Sequence, residues 1–283
     1  MRFQNIAIVG CGLIGGSLAK KIHAIHPSLS ILGVSSKAAE LKADPNASCF
    51  SSVVSRVEAL PKDIDLAIVA VPIEHTASTM KAVSAHVQEQ CIITDVASTK
   101  ATIQKDLATE GIKQPVIFGH PMAGKESTGF DVSEASLFDN AAYFLIKDQS
   151  DAYQALKHFL ESLSMRVVEC NASEHDELVS IVSHMPYLMA SLCISLVEQK
   201  SDESKAIIKQ SYGPGFRDTT RVAGSSPEWG RAVCEENKAN ILKHIKLIMQ
   251  QLESLHDSIE NNEFQTIETR LKALQSQKLA LNN

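Results

Sequence analysis

At 283 residues, 44% of them hydrophobic, the chain is too apolar to be disordered and long enough for two domains of ordinary size. Its formal net charge of −6 lacks the basic excess of a dedicated nucleic-acid binder, so no nucleic-acid partner is expected. Six cysteines (Cys11, Cys49, Cys91, Cys170, Cys193 and Cys234) stand singly without a CxxC pair, which reads as reduced thiols in a cytoplasmic protein with no structural metal. The N-terminal "MRFQNIAIVG" has no signal-peptide core and runs straight into a strand pattern. No window of about 18 uncharged apolar residues stands out, so no membrane partner is expected.

The first half alternates short apolar runs with helical stretches. "NIAIVG" (5–10), "ILGVS" (31–35), "DLAIVAVP" (65–72), "CIITDV" (91–96) and "PVIFGHP" (115–121) are strand-length, rich in Val and Ile, and show little polar alternation. That is the pattern of parallel strands buried on both faces. Helices are predicted between them, over Leu13–Ile25, Glu74–Val87 and Thr99–Thr109. The alternation predicts a doubly wound α/β sheet, and "AAYFLIKD" (141–148) adds a strand. From about residue 151 the pattern changes to helix, one short strand "RVVEC", and then helix throughout. The apolar residues between Glu228 and Glu260 recur at i, i+3/i+4 and i+7, which predicts one long continuous helix, followed by a second over Phe264–Leu281. The stripe suits an intrachain bundle or a homodimer interface equally well. Two domains are expected, 1–150 for a dinucleotide and 151–283 for substrate and dimerisation.

The run "IAIVGCGLIGGSLAKKI" places Gly10, Gly12 and Gly15 between a strand and a helix. Gly10 suits the tight turn, Gly12 lets backbone approach a pyrophosphate, and Gly15 permits close helix–strand packing. The first helical residues, Leu13 and Ile14, then offer free N–H groups to phosphate. Val71 and Pro72, at the end of a neighbouring strand, are expected beside the same cofactor. The acidic ribose-binding residue expected about 20 positions on is missing. Ser35, Ser36 and Lys37 stand there instead. Two hydroxyls and an ammonium suit a 2′-phosphate, so NADP is favoured over NAD.

In an open α/β sheet the ligand lies beyond the carboxyl ends of the strands. His120 follows a buried strand there, and an imidazole near its usual pKa of about 6.5 is a suitable proton acceptor for alcohol oxidation. Ser98 is placed at a helix start, where its bland role is an N-cap.

"GCGLIGGS", "TDVASTK", "GHPMAGKESTGF", "EHDELVSIVSHMP" and "GPGFRDTTRVAGSSPEWG" occur in an order and at separations that closely resemble the prephenate/arogenate dehydrogenases of tyrosine biosynthesis. The resemblance covers nearly the whole chain. It implies a Rossmann-type domain followed by an all-helical domain that forms a homodimer, and oxidative decarboxylation of prephenate to 4-hydroxyphenylpyruvate with hydride transfer to NAD or NADP. It also implies roles: His120 catalytic at the ring hydroxyl, Ser98 holding that hydroxyl, Arg221 on a substrate carboxylate, and His175 and His184 bordering the substrate. Arg217 with Asp218 matches a structural or gating position. Tyr187 stands where the family often has a further histidine, and a tyrosine there can donate a hydrogen bond but supplies no cation. An acidic residue in the loop after the catalytic histidine favours arogenate in this family. Here Thr128 is near that position, flanked by Glu126 and Asp131, which leans toward prephenate. A chain of this length is expected to carry no appended regulatory domain. The competing readings are a hydroxyacid dehydrogenase or pyrroline-carboxylate reductase relative, and a dinucleotide-sensing protein without chemistry.

Overall fold

The computed structural model of the chain describes residues 3–281. Six strands, β1 (Asn5–Val9), β2 (Ser30–Val34), β3 (Ser52–Val54), β4 (Leu66–Val69), β5 (Ile92–Asp95) and β6 (Val116–Ile117), form one sheet in the order β3-β2-β1-β4-β5-β6. All its pairings are parallel. Successive side chains of a strand point to opposite faces. Ile6 and Ile8 of β1 accordingly join one buried cluster, and Ala7 and Val9 the other. Both faces are therefore core, which is why these strands read as unbroken apolar runs. The order reverses between β1 and β4, and that switch point opens the crevice where such sheets bind ligands.

The helices α1 (Leu13–Ile25), α2 (Ala38–Ala43), α3 (Ile73–Ser84) and α4 (Ala101–Leu107) connect these strands. The edge strand β3 carries only three residues, too short for its pattern to stand out in the sequence. The predicted strand 115–121 divides into β6 and β7 (Gly119–Pro121). Gly119 lies against the Tyr143 ring, where an added Cβ would come within 2.6 Å of Cε1, and its N–H goes to Asp95 Oδ1 at 3.2 Å. The backbone is thereby drawn out of the first sheet. β7 pairs antiparallel with β8 (Ala142–Ile146), which pairs in parallel with β9 (Arg166–Cys170) in a separate three-stranded sheet.

Helix α5 (Asp151–Ser162) packs Tyr153, Leu156, Phe159 and Leu160 into the same cluster as Ile6 and Ile8. With β9 paired to β8, residues 151–170 build on the half that carries the parallel sheet. The helical part begins with α6 (Ala172–Val179), closed at its start by a reciprocal Asn171–Glu174 capping box. A π-turn over Ser180–His184 leads into α7 (Met185–Glu198), followed by α8 (Asp202–Ser211), α9 (Pro214–Thr220) and α10 (Pro227–Glu236). The run Ala172–Glu198 is long and apolar enough by length and composition to cross a membrane, contrary to the sequence expectation; Leu178, Ile181, Val182, Leu192 and Leu196 on it are exposed.

The predicted helix 228–260 is broken. Asn237 leaves helical geometry at φ −113° and ψ 28°, and its side chain donates to the Asp176 carbonyl at 2.6 Å. A buried amide–carbonyl bond outweighs one more turn of helix at that point. By contacts the chain forms two compact units, Met1–Lys238 and Ala239–Asn283. The second is a hairpin of α11 (Lys238–Glu260) and α12 (Phe264–Ala280), whose turn holds Asn262 at φ 57°. Leu242, Met249, Leu252, Leu271 and Leu274 of this hairpin stay exposed.

Candidate active site

The glycine loop meets the requirements for a pyrophosphate. Gly10 has φ +98° and lies against strand β4's end, where a Cβ would sit 2.4 Å from the Ala70 carbonyl oxygen, next to Val71. At Gly15 a Cβ would come 1.9 Å from the Gly10 oxygen, so only glycine lets α1 start this close to β1. At Gly12 there is open space instead, and no side chain caps α1. The N–H groups of Leu13, Ile14 and Gly15, which have no partner within a helix, thus face an approach that a phosphate can use. These residues fit a dinucleotide.

Ser35 and Ser36 follow β2, and the Ser35 hydroxyl accepts from the Lys37 N–H at 3.2 Å. The Lys37 side chain is 74% exposed, with Glu40 only at 4.0 Å. Its ammonium is therefore available to another anion. Pro72 precedes α3 at its N-cap position.

His120 on β7 is buried. Its Nδ1 lies 2.9 Å from Nε2 of His175, whose Nδ1 lies 2.8 Å from Oδ1 of Asp176. Asp176 also accepts from the N–H groups of Lys100 and Ala101, at 2.8 Å each. His175 is fully buried and both its ring nitrogens are engaged, so it backs His120 and has no free nitrogen for a substrate. Behind them Lys100 and Asp95 form a fully buried ion pair. Burial first, then the neighbouring His175, Lys100 and His184, holds the His120 pKa well below 6.5. Burial likewise lowers His175 against the opposing pull of Asp176. Both imidazoles are neutral at neutral pH.

Ser98 does not cap a helix: α4 begins at Ala101, with Lys100 at the N-cap position. The Ser98 hydroxyl instead accepts from Trp229 Nε1 at 3.0 Å. Trp229 also stacks edge-on with Tyr187 and with His184, at ring separations of 5.3 and 5.9 Å. Tyr187 lies against Gly230, where a Cβ would come within 2.6 Å of its ring. His184 is fully buried; its Nδ1 meets Asn237 at 3.3 Å and its Nε2 has no protein partner among the described residues. Arg221 is largely exposed in the turn after α9, and pairs with Glu126 on the loop that follows His120. That loop is tied to α1: Lys20 donates to the Ser133 carbonyl at 2.9 Å, and Ser17 accepts from the Glu134 N–H at 3.0 Å. Arg217 pairs with its neighbour Asp218 at 2.9 Å.

The sequence alone gives no role to Asp176 or Trp229. Both lie inside the motifs "EHD" and "SSPEWG", and Trp229 is the chain's one tryptophan. What the sequence could not supply was the long-range pairing, over 76 positions for Asp176 with Lys100 and 131 for Trp229 with Ser98.

The buried histidines imply a pH dependence of stability. Burial, with a smaller contribution from His175, lowers the His184 pKa to about 4 against the pull of Asp176. Its folded pKa lies below its ordinary 6.5, so above that pH His184 is neutral in both states and has no effect. As pH falls the unfolded chain takes up the proton first, and stability is lost between about 6.5 and 4. At pH 5 His184 alone should cost about 2 kcal/mol, lowering Tm by about 5 °C relative to pH 7.5. Thermal melts at the two pH values, repeated on His184→Gln, check this. An unchanged difference in the variant excludes His184 as the source.

A family description for the nucleotide-binding domain of prephenate dehydrogenase matches residues 18–169, and one for the prephenate dehydrogenase dimerization domain matches residues 171–273. The prephenate dehydrogenase of Bacillus subtilis (strain 168) is 32% identical over 279 residues, covering 93% of this chain and 72% of that protein. The crystal structure of Synechocystis arogenate dehydrogenase is similar at a TM-score of 0.81 and 26% identity, over 97% of this chain and 99% of that one. The fold is also that of prephenate dehydrogenase from A. aeolicus in complex with hydroxyphenyl propionate and NAD+, at a TM-score of 0.90, 24% identity and 99% coverage of both chains.

Proposed function

The chain belongs to the prephenate dehydrogenase family, and from that premise we propose that it oxidises prephenate in preference to arogenate, with NADP in preference to NAD. The observation that carries the chemistry is His120, a buried, neutral imidazole whose Nε2 has no hydrogen bond to the described residues. His120 accepts the proton of the ring hydroxyl. A bound nicotinamide supplies the acceptor for the hydride that leaves the same carbon. The ring carboxylate then departs as CO₂, its bonding electrons completing the aromatic ring, and His120 returns the proton to the phenolate oxygen. Ser98, held by Trp229, positions the hydroxyl, and Arg221 binds a substrate carboxylate. His175 stands behind His120, while His184 and Tyr187 flank Trp229 on the helical side. The work of these groups is placement and charge stabilisation.

The preference for prephenate rests on Thr128, an uncharged and exposed residue at the loop position where a carboxylate would pair with an arogenate ammonium. The preference for NADP rests on Ser35, Ser36 and the exposed Lys37. A homodimer through the C-terminal helices suits both the dimerization-domain match and the exposed apolar residues of α7, α11 and α12.

One assay tests the reading: prephenate or arogenate with NAD or NADP, following reduced cofactor by absorbance. Turnover is expected with prephenate and NADP, and none with any of the four pairs refutes it. Lys37→Ala should weaken NADP about 10-fold, the contribution of one charge-assisted contact, and leave NAD unaffected. Equal NADP affinity after the change removes Lys37 from the cofactor site.

A further inference from the structure

We infer that Asp176, acting through His175, sets the tautomer of His120 so that its Nε2 is a bare acceptor facing the substrate. The inference rests on the reading of His120 as the group that takes the hydroxyl proton. It assigns Asp176 and His175 as positioning residues, neither of which touches substrate.

An ionised carboxylate has only acceptors. Asp176 takes two backbone N–H groups at 2.8 Å, at the start of α4, and has no proton to offer His175. The hydrogen between His175 Nδ1 and Asp176 Oδ1 therefore belongs to the imidazole. A neutral imidazole carries one N–H, so His175 Nε2 is a lone pair. The 2.9 Å contact with His120 Nδ1 then requires the hydrogen on His120. The same count leaves His120 Nε2 without a proton. Each choice follows from the one before, and the chain of choices begins at Asp176.

The surroundings favour neutral rings. His120 faces His175, Lys100 and His184; His175 faces Lys100, Asp95 and Asp176. Lys100 and Asp95 neutralise each other in a buried pair, and a second cation beside Lys100 would be unfavourable. The geometry is held from three sides. Asp95 fixes β7 through the Gly119 N–H, α4 fixes the Asp176 carboxylate, and Asn237 fixes the Asp176 carbonyl. Phe144 stacks with His120 at 6.5 Å and meets His175 edge-on at 5.1 Å, which limits rotation of both rings.

The test reads tautomers directly. Full-length protein labelled with ¹⁵N-histidine should show, at neutral pH, protonated Nδ1 and bare Nε2 for both His120 and His175, assigned by the signals lost in His120→Asn and His175→Gln. A protonated Nε2 on His120 in the wild-type protein overturns the inference, whether or not the protein turns over any substrate. Asp176→Asn presents an amide that can donate toward His175 and reverse the chain. Its kcat should fall about 10²- to 10³-fold, the scale for a misplaced proton in acid–base catalysis, with KM and cofactor affinity changed less than about threefold. His175→Gln, whose amide oxygen can accept from His120, should retain at least 10-fold more kcat than His175→Leu. If Asp176→Asn folds and keeps wild-type kcat, or if Gln and Leu at 175 are equally impaired, Asp176 and His175 are structural only. If the wild-type tautomers are as stated but no substrate is turned over, the functional reading fails and the relay stands.

Discussion

Replacing His120 by Asn should lower kcat by about 10³- to 10⁴-fold, the upper range for a positioned acid–base group. The amide of Asn can occupy roughly the place of the ring Nδ1 and still donate to His175. The interior contact is kept, and what disappears is the acceptor at Nε2. Cofactor affinity should be unchanged, because the groups expected to hold the cofactor belong to the Gly10–Gly15 loop and to residues 35–37. Steady-state kinetics with a fluorescence titration of the cofactor separates the two quantities. An intact kcat would remove His120 from the chemistry. The pH profile adds an independent check: His120 must be unprotonated to accept a proton, and its pKa is depressed by burial and by His175, Lys100 and His184. The acid limb of kcat/KM should therefore lie below the ordinary histidine value of 6.5, and moving it above that value requires a different base.

Arg221→Ala should act on the other parameter. KM for prephenate should rise about 10- to 100-fold, the equivalent of one hydrogen-bonded charge contact, with kcat within a few-fold and NAD(P) affinity unchanged. Arg221 is bound to Glu126 by a largely exposed ion pair, and such pairs contribute about 0–1 kcal/mol. A substrate carboxylate can therefore take the guanidinium from Glu126 at little cost. Arg221→Lys keeps the charge but loses the planar pair of donors, so it should recover only part of the affinity. A KM that stays at the wild-type value in Arg221→Ala would assign the carboxylate to another residue.

These two residues differ in how far local reading reaches. His120 follows an apolar run where hydrophobic pattern and motif agree, and in the structure it lies just past β6, as the middle residue of β7. The split of the strand before it was not legible, because Gly119 is turned out of the sheet by Tyr143 and Asp95, each 24 positions away. The continuous helix expected over 228–260 had a valid apolar period, yet it breaks at Asn237. Periodicity reports which residues can share a face, and is blind to one side chain preferring a buried carbonyl at 176. Ser98 fails as an N-cap for a related reason: its hydroxyl belongs to Trp229, far along the chain.

The sequence by itself determined the parallel sheet and the glycine loop, since strand burial and backbone freedom at glycine are local properties of residue type. Only the tertiary structure decided that His175 backs His120 and has no nitrogen left for substrate, that Asp176 ends that chain, and that Trp229 holds Ser98. A hydrogen bond is specified by two groups meeting within about 3 Å. Which groups meet depends on how the sheet and the helices pack, and that packing is a property of the whole chain.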